Sequence, residues 1–320
     1  MHIVETGRCR GPGIRAGSWA RSLFVLLLGV GGACGPVEDP VEPSSPQAQV
    51  QVQEVSSDNS LSANGLSFNG LSFNGLSFNG LSFNGLSTPA FQSWFQSNPA
   101  LADEVMRYVV RCAVPNSQTR TYTHPQSGRR YTWPGKLGLA PTWSGGVAAT
   151  VLEQQLVSAC LAAHVNPYGV SVSISLLGRH AQGQVIPYTH AELNDHPKQE
   201  SCYFGNLFTG QGIYGGSRGT LLTQYTSTAR ACATVDNSGS LRMTCLPLVY
   251  VGDCSSFCTL DSTGLFYARC TYGADEFRPL VTRMKERDIY RCGDGACQVT
   301  ESCGNVNWYN SCLPDCGRCQ

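Results

Sequence analysis

Residues 144–177 read SGGVAATVLEQQLVSACLAAHVNPYGVSVSISLL, and the change of period inside this stretch decides the fold class. Leu152, Leu156, Ala159, Cys160 and Ala163 recur at helical spacing, so one helix is expected from Ser144 to about His164, ended by Asn166-Pro167. Beyond Pro167 the helical period stops. The run from Val170 to Leu177 is short and rich in β-branched residues, which reads as a strand.

The same two patterns extend to either side. Upstream, Asn98 caps and Pro99 opens a helix on which Leu101, Val105, Val109 and Cys112 fall four or three residues apart. Asp103 and Glu104 lie early and Arg107 and Arg111 late, as the helix dipole favours. Thr119 to Trp133 is expected to form a hairpin about Ser127-Gly128, and Arg242 to Val251 and Leu265 to Tyr272 to form further strands. The fold class is therefore α+β: two helices toward the N-terminal side, then short antiparallel strands.

Sixteen cysteines in 320 residues, with 35 glycines and 17 prolines, describe a loop-rich chain that needs covalent support and an oxidising compartment. Cys112, Cys160, Cys202, Cys232, Cys245, Cys254, Cys258 and Cys270 fall in the central region and are read as four disulfides, each stabilising by about 2 to 4 kcal/mol. Spacing leaves their pairing open. Cys292, Cys297, Cys303, Cys312, Cys316 and Cys319 crowd into a segment too short for an apolar core, so three more disulfides are expected to take its place. In a reducing cell Cys316-Gly-Arg-Cys319 would suggest half a zinc ribbon; in an exported chain it reads as two half-cystines. Asp294, Glu301 and Asp315 are the weak calcium candidates, offering oxygens without the EF-hand spacing; no other cofactor is expected.

Export is read from the first residues. Arg8, Arg10, Arg15 and Arg21 oppose one acid, Glu5, ahead of the eight-residue run Leu23 to Val30. That run is far shorter than the ~20 apolar residues a permanent span needs. The Gly31-Gly32-Ala33-Cys34 that follows resembles a bacterial lipoprotein signal, which makes Cys34 the expected lipid-attachment site; cleavage after Ala33 with plain secretion is the alternative. Losing Cys9 with the signal and committing Cys34 to lipid leaves fourteen of the sixteen cysteines, an even number.

Residues 34–60 read as a solvated linker, rich in Pro, Glu, Gln and Ser. Residues 61–87 carry a five-residue unit, Asn64-Gly65-Leu66 through Asn84-Gly85-Leu86, with Phe68, Phe73, Phe78 and Phe83 between copies. An Asn-Gly pair in every unit excludes a helix and breaks a flat strand. The repeat is read as a stalk, the domain proper as 88–290 and the cysteine-rich module as 291–320. If residues 35–87 behave as a flexible coil, they span about 40 Å.

The chemistry-bearing motifs are few. Charged residues are 14% of the chain and 22 basic residues balance 22 acidic ones, so bulk charge gives no case for a nucleic-acid partner. Gly215-Gly216-Ser217-Arg218-Gly219 fits the G-x-S-x-G elbow, but the last histidine, His196, precedes Ser217, against the order of α/β-hydrolases; a glycine-rich turn is the reading kept. His190, Glu192, Asp195 and His196 are read as a polar loop and not a metal site. His124, His164 and His180 are isolated. Trp133, Trp143, Tyr203 and Phe204 suit either a core or a sugar groove, with the core favoured. No catalytic residue is assigned.

The Cys292-Gly-Asp-Gly-Ala-Cys297 segment, with Cys312-Leu-Pro-Asp-Cys316-Gly, resembles small C-G-D-G-x-C modules appended to extracellular proteins. Together with the signal, the Asn-Gly-Leu repeats, Arg111-Cys112-Ala113 and Ser158-Ala159-Cys160-Leu161, it makes the chain similar to predicted surface lipoproteins of myxobacteria. The resemblance implies an exported protein of the outer membrane or cell surface; the role expected of it is structural or the binding of a surface protein or glycan, with no identifiable catalysis. It implies no catalytic residue. A secreted hydrolase working through two convergent carboxylates is the alternative expectation, and a cell-delivered toxin the next.

Overall fold

The computed structural model describes residues 85–165, 172–218, 226–228, 247–304 and 311–319, together with the backbone of 56–58. The signal, Cys34, most of the linker and repeat, and Cys232 and Cys245 lie outside the described residues. Six helices and thirteen strands are described. The helices are α1 (Pro89–Ser97), α2 (Pro99–Ala113), α3 (Pro141–Ser144), α4 (Val151–His164), α5 (His190–Asp195) and α6 (Leu313–Cys316). The strands begin with β1 (Ser56–Asp58), β2 (Thr119–Thr123), β3 (Arg130–Pro134), β4 (Ser173–Gly178), β5 (Lys198–Asn206), β6 (Gly212–Ser217) and β7 (Thr226–Ser227). They continue with β8 (Leu248–Asp253), β9 (Cys258–Leu260), β10 (Tyr267–Tyr272), β11 (Asp275–Phe277), β12 (Leu280–Met284) and β13 (Tyr290–Arg291).

Helix and sheet are mixed, as the change of period at Pro167 implies. The main sheet has the order β1-β4-β12-β5-β6-β8, and the short sheet β11-β10-β9 stands apart from it. Alternation along β5 sorts the side chains between two cores. Tyr203 joins the helices, in a cluster with Trp133, Leu156, Leu161 and Met106. Cys202 and Phe204 join Phe266, Phe277 and Cys258 from the short sheet. The large sheet thus separates a helical layer from a smaller β layer, which is how an α+β chain buries both faces.

Not every pair is antiparallel. β6 and β8 run parallel, with Ile213 opposite Leu248. Ser56–Asp58, at the end of the stretch read as linker, pair with β4 as an edge strand. Gly85–Ser87, at the end of the stretch read as stalk, form a 3-10 turn, and Leu86 packs against the helical core.

Helix α2 starts at the expected cap, where Asn98 Oδ1 accepts from Leu101 N–H at 3.2 Å. Helix α1, which the periodicity does not reveal, is capped in the same way by Thr88 and has Pro89 in its first turn. The helix expected from Ser144 begins instead at Val151. Thr150 and Glu153 form a capping box there, and Gly145 and Gly146 separate it from the four-residue α3. The one-face stripe also fails for α4: Leu152 is exposed, while every residue from Gln155 to His164 is buried. The helix lies between α2 and the sheet, so it has no solvent face along that length.

The hairpin forms as expected, β2 against β3, with Gly128 at φ 67° in its turn. Trp133, Trp143, Tyr203 and Phe204 are all buried in the cores, not in a groove. Six disulfides occur among the described residues. Cys112–Cys160 joins α2 to α4, Cys202–Cys254 fastens β5, and Cys258–Cys270 joins β9 to β10. Near the C-terminus Cys292–Cys312, Cys297–Cys316 and Cys303–Cys319 link first to fourth, second to fifth and third to sixth. Among the described residues no helix is long and apolar enough to cross a membrane.

Candidate functional site

The glycine-rich elbow motif resolves into packing. Residues 212–217 are a strand and not a turn, and Ser217 is buried with its hydroxyl 3.2 Å from Tyr250 Oη. A Cβ on Gly216 would stand 2.8 Å from Gly252 O and 3.1 Å from Cys254 Sγ. The glycine therefore makes room for the Cys202–Cys254 disulfide and neighbouring backbone, a role unrelated to a nucleophile.

The three calcium candidates bond within the protein. Asp315 accepts from Gly293 N–H at 2.6 Å, Gly295 N–H at 3.1 Å and Asp294 N–H at 3.3 Å. Asp294 accepts from Ala296 N–H and the Gln298 amide, and Glu301 accepts from Gln298 N–H. Burial, reinforced by the charges of Asp315 and Asp294, holds the Glu301 carboxyl above its usual pKa. Among the described residues these three acids do not converge on one point. The two cysteine-containing clusters that do converge, Cys112-Cys160-His164 and Cys292-Cys312-Asp315, have their sulfurs committed to disulfides.

His190, Glu192, Asp195 and His196 do not form a loop. Thr189 caps α5, with Glu192 fully buried in its first turn and His196 fully buried at its C-cap; the cap signal in Thr189-x-x-Glu192 announces this helix. His164 is likewise buried, its Nδ1 2.7 Å from Cys160 O.

One open concavity among the described residues is not announced by the sequence. Asp103 and Arg107 on α2 face Arg129, Arg130, Tyr131 and Thr132 from the hairpin across a cavity of about 350 Å³. Asp103 is not the dipole partner expected, since it lies beyond the first turn of α2. Its carboxylate accepts from the buried Trp133 Nε1 at 2.7 Å and from Arg107 Nη2 at 2.5 Å. Trp133 thereby fixes Asp103, and Asp103 fixes Arg107 while leaving its side chain 42% exposed. Arg129 lies over the Tyr131 ring at 4.9 Å, which orients its planar fork as cation–π stacking does. Arg130 is exposed and has no ion pair among the described residues. Three arginines and one aspartate thus line the cavity, and the excess charge is positive. Guanidinium forks match phosphate, sulfate and carboxylate geometry in pairs. The two hairpin arginines are adjacent in sequence, but only the packing of β3 on α2 brings Arg107 to them.

No family model, no curated protein and no solved structure matches this chain.

Proposed function

We propose that this chain is an exported surface protein, tethered through Cys34, whose folded part captures an acidic glycan in the arginine cleft. The signal-like first residues, the Asn-Gly-Leu repeat and the likeness to myxobacterial surface lipoproteins support export and tethering. The dense C-terminal disulfides support an oxidising location and a small module of their own. The cleft supports the ligand class, and it is the observation that carries the reading: a chain with 22 basic and 22 acidic residues, which loses four arginines and one glutamate with residues 1–33, concentrates three arginines around a tyrosine. Bulk attraction does not explain retention of a polyanion by a protein without net positive charge, so specific binding isolates the cleft. Two-carboxylate hydrolysis gains no support there, because Asp103 is the single acid and is already bonded to Arg107 and Trp133.

The test is chromatography of the folded protein on dextran sulfate and on neutral dextran at physiological salt. Retention on the sulfated matrix alone, lost in the Arg129→Ala/Arg130→Ala double variant, is expected. Equal passage through both columns, or retention unchanged in that variant, would contradict the reading. Mass measurement of material from membranes tests the tether; an acylated fragment beginning at Cys34 is expected.

A further inference from the structure

The buried end of α5 has a use that neither the cleft nor the disulfides absorb. His196 lies at the C-cap of α5, wholly buried, and its imidazole touches β4. Its Nδ1 is 3.2 Å from Glu192 O. A carbonyl only accepts, so Nδ1 carries the proton and Nε2 presents its lone pair. Opposite that lone pair, at 3.0 Å, is the hydroxyl of Ser173. Ser173 is half-buried at the first residue of β4 and keeps solvent contact that His196 lacks.

The imidazole is held from behind as well as from the side. Arg283 on β12 donates from Nε to His196 O and from Nη2 to Pro197 O, both at 2.8 Å, which clamps the backbone carrying the ring. Asp195 places Oδ2 at 3.7 Å from Nδ1 and is bound on its other side by the Lys285 ammonium. Asp288 also faces the ring, with Oδ2 buried and lacking a hydrogen-bond partner among the described residues. Burial, joined by the Lys285 charge, holds the imidazole below its usual pKa against the Glu192 carbonyl and the Asp195 and Asp288 carboxylates, which favour the cation. At neutral pH the ring is therefore an uncharged base aimed at a hydroxyl.

A nucleophile within hydrogen-bond reach of a base, with the base oriented by a third group, is the arrangement that activates serine in unrelated folds. We propose that Ser173 and His196 are a nucleophile–base pair acting on carboxylic esters. As Ser173 Oγ bonds the ester carbonyl carbon, its proton passes to His196 Nε2 and the carbonyl π pair moves onto oxygen. Collapse reforms the carbonyl and breaks the C–O bond to the leaving alcohol, which takes the proton back from Nε2. Water, deprotonated by the same nitrogen, then attacks the acyl-serine, and its collapse restores Ser173 Oγ–H and releases the acid.

The experiment is labelling of the intact folded protein with a fluorophosphonate probe, followed by peptide mapping, alongside p-nitrophenyl acetate hydrolysis. One adduct at Ser173 is expected, absent in Ser173→Ala and formed about 100-fold more slowly in His196→Gln. Its rate should rise with pH through a midpoint below about 6.5, the value of a free imidazole. No adduct, an adduct on another residue, or a Ser173 adduct whose rate ignores both His196 and pH would overturn the proposal. Dextran sulfate retention of Ser173→Ala should equal that of the parent protein, so this proposal and the cleft stand or fall separately.

Discussion

The body of this protein and its last thirty residues solve the same problem by opposite means. In the body, Trp133, Phe95, Leu156 and Phe204 disappear from solvent, and each such burial contributes roughly 1.5 to 3 kcal/mol before conformational entropy is set against it. The disulfides there join elements that packing already holds together. Among the described residues of 292–319, Val299 and Leu313 are exposed, so those apolar side chains add little support. Three crossed disulfides and the backbone amides gathered by Asp315 provide the order instead. The difference teaches that cysteine count alone does not reveal what a disulfide does: Cys112–Cys160 adds to a core, whereas Cys297–Cys316 substitutes for one.

The largest break in that comparison should come from Trp133→Ala, which leaves a cavity beneath the hairpin and strips Asp103 of its indole donor. A loss of about 3 to 5 kcal/mol in chemical denaturation is expected, with amide protection in residues 292–319 unchanged. A loss under about 1 kcal/mol would show that the body does not depend on its aromatic core.

Cys297→Ser/Cys316→Ser sharpens the comparison from the other side. The two sulfurs close a loop with a sequence separation of 19, for which chain entropy gives about 3 kcal/mol. Limited proteolysis should cut the variant between 292 and 319 while the body's melting temperature holds. Equal loss in both regions would show that they are one cooperative unit.

The smallest effect is that of pH. Burial keeps His196 and His180 below their ordinary pKa, so the unfolded chain takes up protons below about pH 6.5 that the folded body refuses. Body stability should fall as pH drops from 7.5 through that value. Residues 292–319 contain no histidine, and the raised pKa of Glu301 acts with the opposite sign, favouring the folded form as it protonates. A fall of equal size in both regions, followed by residue-resolved hydrogen exchange, would contradict the assignment.

Much of the body was legible because local signals there agree with the fold. Asn98-Pro99 opens α2 and Ser127-Gly128 turns the hairpin where the residues say, and α4 ends at His164 as expected. The misreadings have physical causes. Gly145-Gly146 interrupts the apolar period ahead of the Thr150-x-x-Glu153 box, and α4 loses its stripe because α2 and the sheet cover it from Gln155 onward. Gly215-Gly216-Ser217 mimics an enzyme motif through a packing requirement. Conversely, the groups with chemical promise leave no linear trace. Ser173 meets His196 because β4 and the end of α5 flank β12, and Arg107 meets Arg129 and Arg130 because β3 lies on α2.

Oxidised sulfur holds both regions of the protein, and a non-reducing peptide map of native protein, with thiol titration, tests this. The predicted result is Cys112–Cys160, Cys202–Cys254, Cys258–Cys270, Cys292–Cys312, Cys297–Cys316 and Cys303–Cys319, with none of those twelve cysteines reacting as a thiol. Most of the twelve reacting freely, or a bound metal released as they react, would contradict it.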